Sequence, residues 1–311
     1  MALDPTKHPD WQIAQDAEKS MKTVETLAAE LGLEKDELLP YGHYMGKIEQ
    51  QAVLRRLADR PNGKYVDVTA ITPTPLGEGK STTTIGLVQG LSKRGVKTTA
   101  AIRQPSGGPT MGMKGSAAGG GLAQCIPLTP YSLNFTGDIH AITSAHNMIS
   151  ALLDNYIYQH QADGFALKEV CWRRVLDVND RSLRSIVTGL GPRTNGVPAE
   201  SGFDITPASE LMAILCLAAD EDDLRRRVES IILGFTYDDR PFTVKDLGVA
   251  GAIVVLLRDA LQPNLVQTTE RTPALVHGGP FANIAHGCNS LLATRMALSH
   301  SEYTITEAGF G

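Results

Sequence analysis

Residues 65–102 constrain the fold of this chain more than any other stretch. The segment YVDVTAI at 65–71 alternates β-branched and small residues, which predicts a strand that ends at TPTP. Residues 80–93 show a helical pattern, and VKTTAAI at 96–102 predicts a second strand. Strand, loop, helix and strand in this order form a βαβ unit. The sequence therefore predicts an α/β fold built on a mostly parallel sheet, with right-handed crossovers and helices on both faces.

The same alternation of helical and extended patterns continues along the chain. Thr206 is the expected N-cap of one helix, because Pro207 suits the first helical position. A polar, arginine-rich segment at 171–191 suggests a small excursion from the main fold. Further helices are predicted at 13–31, 141–160, 207–218, 220–235, 251–261 and 283–298, and further strands at 273–279 and 303–309.

Three loops rich in glycine and proline follow predicted strands at their carboxyl ends. Their sequences are TPTPLGEGK at 72–80, RQPSGGP at 103–109 and HGGPFAN at 277–283. In an open α/β sheet, ligands bind beyond the carboxyl ends of the strands, which lie along one edge. The sequence therefore predicts one ligand site to which all three loops contribute.

The first loop matches the phosphate-binding pattern G-x-x-x-x-G-K-[ST] except at its first position, where Thr74 stands. Gly77 and Gly79 permit the positive φ values and the close backbone approach that a bound anion requires. Lys80 adds a mobile charge for β- and γ-phosphates, and Ser81 can reach a Mg²⁺ ion. The alternative is a glycine-rich turn that binds nothing. The flanking strand and helix favour nucleotide binding, with ATP as the expected ligand.

Arg103 leaves the strand at 96–102 and enters a glycine-rich segment that extends to residue 121. A guanidinium can hold a carboxylate or a phosphoryl group through two hydrogen bonds, so Arg103 is a candidate ligand for a second, anionic substrate. A surface or packing role for Arg103 is an equally open alternative. Lys114 is a weaker candidate in the same segment, whose run GSAAGGG could contact substrate through its backbone or form a lid.

Other residues near the loops carry weaker indications. Asp138 is a candidate cation ligand, although a role as N-cap of the helix that follows is favoured. His277 and Asn283 flank GGPFA, and Phe281 is either a platform for a flat substrate or a core residue. The histidines of this region lack metal-ligand spacing and are expected to be hydrogen-bonded structural residues (His140, His146, His277, His286).

Composition narrows the functional class. A net charge of −5 argues against a general nucleic-acid or membrane-surface binder, because such proteins need a positive field. The chain has no apolar run near the ~20 residues that cross a membrane, and its polar N-terminus does not look like a signal peptide. We therefore expect a cytoplasmic protein. The cysteines lack metal or redox spacing and are expected to be reduced, buried thiols (Cys125, Cys171, Cys216, Cys288).

Several long strings together resemble one family, the formate–tetrahydrofolate ligases. They are TPLGEGKST, RQPSGGPTMGMKGSAAGGG, LNFTGDIHAI and HGGPFANIAHGCNS with EAGFG, and the N-terminal strings DPTKHPDWQIAQDA and LLPYGHYMGKI are similar too. The resemblance spans nearly the whole chain and also makes Thr74 an expected residue of the first loop. It implies that ATP phosphorylates formate to formyl phosphate, and that N10 of tetrahydrofolate then attacks the formyl carbon to give 10-formyltetrahydrofolate.

The resemblance also implies roles for individual residues. Lys80 would neutralise charge during phosphoryl transfer, and Arg103 would hold formate and then formyl phosphate. Mg²⁺ would accompany ATP, with Ser81 as a ligand, and Asp138 matches the region associated with K⁺ or another monovalent cation. Gln104 replaces a carboxylate found in many members, which weakens that cation site. The residues expected to cradle the nucleotide phosphates are Thr74, Pro75, Leu76, Gly77, Glu78, Gly79, Lys80 and Ser81.

The family's domain extends beyond the length of this chain, which is 311 residues. We therefore expect an incomplete sheet, and a division into a nucleotide-binding part at 1–135, a mainly helical part at 136–270 and a return to the α/β domain at 271–311. The family implies a homo-oligomer for a complete enzyme, or a complementary C-terminal polypeptide for a split one. The alternative functional hypothesis is a truncated, non-catalytic nucleotide-binding subunit.

Overall fold

The fold was analysed in a computed structural model of the chain. It describes residues 3–72, 74–75, 77–108, 118–281 and 288–309. The chain divides into two compact units. The first combines Met1–Gly137 with Gln262–Gly311, and the second is Asp138–Leu261.

The elements follow one another in chain order. The first stretch of the first unit contains α1 (Asp10–Glu18), α2 (Val24–Leu31), β1 (Leu38–Tyr41), β2 (Met45–Ile48), α3 (Gln50–Arg56), β3 (Lys64–Val68), α4 (Lys80–Lys93), β4 (Thr98–Ile102), β5 (Gly119–Gly120), β6 (Ala123–Ile126) and α5 (Leu128–Ser132). The second unit contains α6 (Asp138–His160), β7 (Leu167–Val170), β8 (Arg174–Leu176), β9 (Ile186–Thr188), β10 (Ala199–Ser201), β11 (Phe203–Ile205), α7 (Glu210–Leu217), α8 (Glu221–Glu229), β12 (Ile232–Thr236), β13 (Pro241–Thr243), α9 (Val244–Leu247) and α10 (Ala250–Leu257). The chain then returns to the first unit with β14 (Asn264–Thr268), β15 (Pro273–Val276), α11 (Leu291–His300) and β16 (Tyr303–Glu307).

A mixed sheet forms the centre of the first unit. Its described strands lie in the order β1-β2-β14-β15-β4-β16-β3, and β6 also pairs with β14. The four strands β15, β4, β16 and β3 run parallel, which confirms the predicted parallel arrangement for the centre of the sheet. On one side, β14 pairs antiparallel with β15, β2 and β6, an extension that the sequence patterns did not predict. A short connection between β14 and β15 permits only an antiparallel pair.

Both faces of this sheet are covered by helices, as predicted. Alternation along β4 sends Ala101 to one face and Ala100 and Ile102 to the other. The Ala101 face packs against buried residues of α2, α3 and α11, and the opposite face packs against Ile85 and Val88 of α4. Because β4 is buried on both faces, its sequence is a continuous run of small and apolar residues rather than an alternating one.

The second unit contains the clearest errors of the sequence-based assignment. The predicted helix at 220–235 ends at Glu229, and Ile232–Thr236 instead form β12, which pairs with β7 and β13. Its branched and aromatic residues suit a strand better than a helix end. The predicted N-cap at Thr206 was also wrong. The turn at Thr206–Ala208 is a 3₁₀ helix, and α7 is capped by Ser209, whose Oγ accepts from the backbone N–H of Met212 at 3.2 Å.

Two other predicted helices have different limits. The predicted helix at 13–31 is two helices, because Thr23 caps α2 by accepting a hydrogen bond from the backbone N–H of Thr26. The helix predicted from 283 onward begins at Leu291 in α11, and residues 283–287 lie outside the described part of the chain. Within the described residues, no helix has both the length and the apolar character to cross a membrane.

Candidate functional site

The carboxyl ends of the parallel strands meet along one edge of the first unit, as the sequence predicted. The backbone N–H of His277 donates to the carbonyl of Ile102 at 3.1 Å, which extends the pairing of β15 with β4. The N–H of Gln104 donates in turn to the carbonyl of Gly278 at 2.5 Å. The second and third loops therefore begin side by side. On the other flank, Glu307 at the end of β16 lies opposite Val68, the last residue of β3.

The first loop turns sharply between β3 and α4. Gly77 and Gly79 have φ values of 92° and 75°, which side-chain-bearing residues rarely adopt, so the local geometry requires glycine at both positions. The loop is closed by its own side chains. The N–H of Thr74 donates to Glu78 Oε1 at 2.6 Å, and Thr74 Oγ1 donates to the carbonyl of Gly77 at 2.8 Å. Pro75 is exposed in this turn, and Leu76 lies outside the described residues.

Thr74 therefore has a structural reason to replace the usual first glycine. Its hydroxyl and its N–H both hold the turn, and glycine would supply only the N–H. The loop also contains an ion pair between Lys80 Nζ and Glu78 Oε2 at 2.6 Å, with the two side chains 14% and 11% exposed. An incoming phosphate would have to draw Lys80 away from Glu78. The phosphate-binding role of this loop stays a prediction.

Glu307 connects two of the predicted site residues, and the sequence-based list of candidates missed it. The hydroxyl of Ser81, in the first turn of α4, donates to Glu307 Oε2 at 2.6 Å. Glu307 Oε1 lies 3.9 Å from Nε of Arg103, and Nη1 of Arg103 donates to the carbonyl of Pro280 at 3.2 Å. The one available signal was its position, an acidic residue at the carboxyl end of the predicted strand YTITEAG.

A small cleft opens between these side chains. Its volume is about 50 Å³. This is enough for a group of a few heavy atoms, since a single water molecule needs roughly 10–15 Å³. Gln104 is 3% exposed, and its side-chain oxygen has no hydrogen-bond partner among the described residues. The cleft thus combines a guanidinium, a carboxylate, a hydroxyl and a free amide oxygen. Its lining residues are Ser81, Ile102, Arg103, Gln104, Pro105, Tyr131 and Glu307.

Burial holds two thiols and one phenol beside the cleft in their neutral forms. Burial raises the pKa of the Cys125 thiol to about 12 and that of Cys288 to about 11, and it raises the pKa of Tyr131 well above its usual value. Neither thiol is a thiolate at neutral pH, which argues against nucleophilic catalysis by cysteine here. All four cysteines are free, as predicted. The prediction that they are buried was wrong for Cys171, which is exposed, and Cys288 is only partly buried.

The remaining candidates either are not among the lining residues of the cleft or lie outside the described residues. Asp138 is the first residue of α6 in the second unit and is buried. His277 is fully buried with Nδ1 2.6 Å from Ser290 Oγ, and His146 stacks on Trp172, so both are structural histidines as expected.

No group of three acidic, histidine or cysteine side chains suited to a metal occurs within the described chain. Lys114, Asn283 and His286 lie outside it.

Comparison with known proteins agrees with the resemblance of the motifs. The family model described as formate–tetrahydrofolate ligase matches residues 8–311. A formate–tetrahydrofolate ligase of Phocaeicola vulgatus is 65% identical over 302 residues, which cover 97% of this chain and 54% of that protein. One from Bacteroides thetaiotaomicron is 64% identical with the same coverage, and one from Desulfovibrio desulfuricans is 59% identical over all of this chain and 55% of its own length. The chain spans about half the length of these relatives, and it belongs to the formate–tetrahydrofolate ligase family.

Proposed function

We propose that this chain carries the nucleotide- and formate-handling part of an ATP-dependent ligase of one-carbon metabolism. The reaction joins formate to N10 of tetrahydrofolate and yields 10-formyltetrahydrofolate, ADP and phosphate. Support comes from the family and from the relatives' name. The observation that carries the proposal is that Ser81, Arg103 and Glu307 meet at one cleft, directly beside the candidate phosphate loop.

In the first step, an oxygen of formate attacks the γ-phosphorus of ATP, and ADP leaves. Arg103 is suited to hold formate, because its guanidinium lines a cleft with room for only a few heavy atoms. The arginine charge also opposes the repulsion between a carboxylate and a triphosphate. Phosphoryl transfer depends mainly on positioning and electrostatic stabilisation, so a fixed cation at this point favours the reaction.

The first loop would bind the triphosphate through its backbone N–H groups and Lys80, after Lys80 leaves Glu78. Mg²⁺ bound with ATP supplies positive charge at the β- and γ-phosphates. Ser81 is suited to bind this ion. Its hydroxyl lies in the first turn of α4 and donates to the buried carboxylate of Glu307, and both side chains offer the hard oxygen atoms that Mg²⁺ prefers. The binding of a monovalent cation by Asp138 stays a prediction. Gln104 weakens this prediction, because it stands where many members of the family have a carboxylate.

In the second step, the N10 amine attacks the formyl carbon, and the carbon–oxygen bond to phosphate breaks. The proton of the amine is released, and phosphate leaves with the oxygen that formate contributed. We propose that Arg103 keeps contact with that oxygen throughout, first on formate and then on formyl phosphate. Formate and tetrahydrofolate are thus the proposed substrates. A cytoplasmic location, a homo-oligomer and a complementary C-terminal polypeptide remain proposals from the family.

Transfer of labelled oxygen tests this route directly. The chain is incubated with ATP, tetrahydrofolate and [¹⁸O]formate, alone and together with a polypeptide covering the remaining length of the relatives. If formyl phosphate forms, each inorganic phosphate released with 10-formyltetrahydrofolate should carry one ¹⁸O atom, because phosphate leaves with an oxygen of formate. Product with unlabelled phosphate would exclude the formyl phosphate route. Bound ATP without product under both conditions would instead favour the non-catalytic nucleotide-binding subunit.

A further inference from the structure

Glu307 is the least explained group at the edge of the sheet. It ends β16, whose neighbour on one side is β3, the strand that leads into the candidate phosphate loop. Its carboxylate therefore lies one strand away from the loop and faces the first turn of α4. The residue is 4% exposed. A carboxylate so deeply buried is costly unless cations or hydrogen bonds compensate its charge.

The contacts that Glu307 makes within the described structure compensate that charge only partly. Ser81 Oγ donates one hydrogen bond at 2.6 Å, and this hydroxyl is neutral. Among the residues that the structure describes, the one cation within ion-pair distance is Arg103, whose Nε is 3.9 Å away, beyond hydrogen-bond distance. The thiols of Cys125 and Cys288 and the phenol of Tyr131 also interact with it, and burial keeps these three groups neutral. The site thus favours a second positive charge beside the carboxylate.

We propose that Glu307, together with Ser81, binds the divalent cation that accompanies the nucleotide triphosphate. This inference rests on the proposed function, since it places a nucleotide at the first loop. Two protein oxygens, one of them charged, are the usual protein contribution to Mg²⁺ bound with phosphates. In phosphate-loop proteins the loop serine binds the ion, and an acidic residue on another strand completes the site. Glu307 occupies the corresponding place beside the strand of the first loop.

The proposal predicts effects of opposite sign on two forms of the nucleotide. A buried carboxylate repels a metal-free triphosphate, so Glu307→Gln should bind ATP in EDTA at least as tightly as the wild type. The same substitution removes a charged ligand of the ion and should weaken binding of Mg-ATP. The affinity ratio between Mg-ATP and metal-free ATP should fall about 10-fold or more, the scale seen when a metal site loses a supporting group.

Calorimetric titration of the full 311-residue chain with ATP, in EDTA and in excess Mg²⁺, measures this ratio. Electron paramagnetic resonance of Mn²⁺ in the presence of ATP gives an independent count of bound ions. Ser81→Ala is a second variant, which removes the other proposed ligand while it keeps the carboxylate of Glu307, and it should lower the ratio as well. Glu270→Gln is the matched control. Glu270 is a surface acid paired with Lys93 at 2.9 Å, and its loss should leave the ratio unchanged.

The possible outcomes separate this assignment from the proposed function. If Glu307→Gln retains the wild-type ratio and Mn²⁺ count, the assignment is overturned, and Glu307 only orients Arg103. If the wild type binds neither form of ATP, both the assignment and the proposed function fail. If the ratio falls as expected but no labelled phosphate appears in the [¹⁸O]formate experiment, the cation site stands and the ligase reaction does not.

Discussion

His300 should make the first unit sensitive to mild acid. The residue ends α11 and is fully buried, and neither ring nitrogen has a hydrogen-bond partner within the described chain. Burial, reinforced by the positive charges of Arg56, Lys97 and Arg60, lowers its pKa from 6.5 to about 4, and Glu37 opposes that shift only weakly. The neutral imidazole is therefore the form that the folded unit accepts.

The sign and the size of the effect follow from proton linkage. Between pH 6.5 and 4 the unfolded chain binds a proton at His300 and the folded chain does not, so stability falls as the pH is lowered through this window. With pKa values of 6.5 and about 4, the loss between pH 8 and pH 5 is about 2 kcal/mol. His300→Leu, similar in volume, removes this contribution and should be that much less acid-sensitive.

Hydrogen exchange of the amides of β4 provides the assay, because it reports on the first unit alone. This matters because His146 in the second unit also has a pKa lowered to about 4 by burial. The wild type should lose about 2 kcal/mol more protection than His300→Leu between pH 8 and pH 5, after correction for intrinsic exchange rates. His300→Gln, polar but non-titrating, should follow the leucine variant. Equal pH dependence of all three proteins would refute the reasoning.

Three further predictions concern ion pairs and the site. Arg56 donates to both oxygens of the buried Glu37 at 2.6 Å, so Arg56→Ala should cost about 3 kcal/mol in urea denaturation at pH 7. Burial favours a raised pKa for Glu37, but hydrogen bonds from Arg56 and from the N–H of Glu34 lower it overall. The difference in unfolding free energy between the variant and the wild type should therefore shrink as the pH falls below about 4 and Glu37 becomes protonated. Arg103→Ala and Lys80→Ala should each lower the rate of product formation by ~10²-fold or more, the scale for loss of one preorganised charge. Near-normal turnover of Arg103→Ala would contradict its assigned role.

The parts of the fold that depend on local pattern were predictable from sequence. From β3 to α4 the sequence changes clearly from the two-residue alternation of a strand to the periodicity of a helix, and the strands at β15 and β16 end in turn residues. The pairing of β14 with β2 and β6 depends instead on residues that are far apart in the chain, so it leaves no local pattern. The Ile232–Thr236 segment was misassigned because its apolar residues follow a helix directly, and its pairing with β7 and β13 decides its structure.

The candidate site shows the same division between local and long-range information. Ser81 and Arg103 were predicted because each follows a strand within a recognisable loop, and the structure brings both to one cleft. Glu307 was missed because a single acidic residue at a strand end has no distinctive motif. Its contact with Ser81 depends on the packing of α4 against β16, which joins distant parts of the chain. The pairing of Lys80 with Glu78 likewise depends on the exact turn of the loop.

The most direct test of the account is formation of 10-formyltetrahydrofolate from ATP, formate and tetrahydrofolate. The measurement compares the 311-residue chain with its Arg103→Ala variant, each alone and each with the polypeptide that covers the rest of the relatives' length. We expect product from the wild type in at least one of the two conditions, and loss of at least about 10²-fold in the variant. Absence of product from a wild-type chain that binds ATP, in both conditions, would contradict the proposed function.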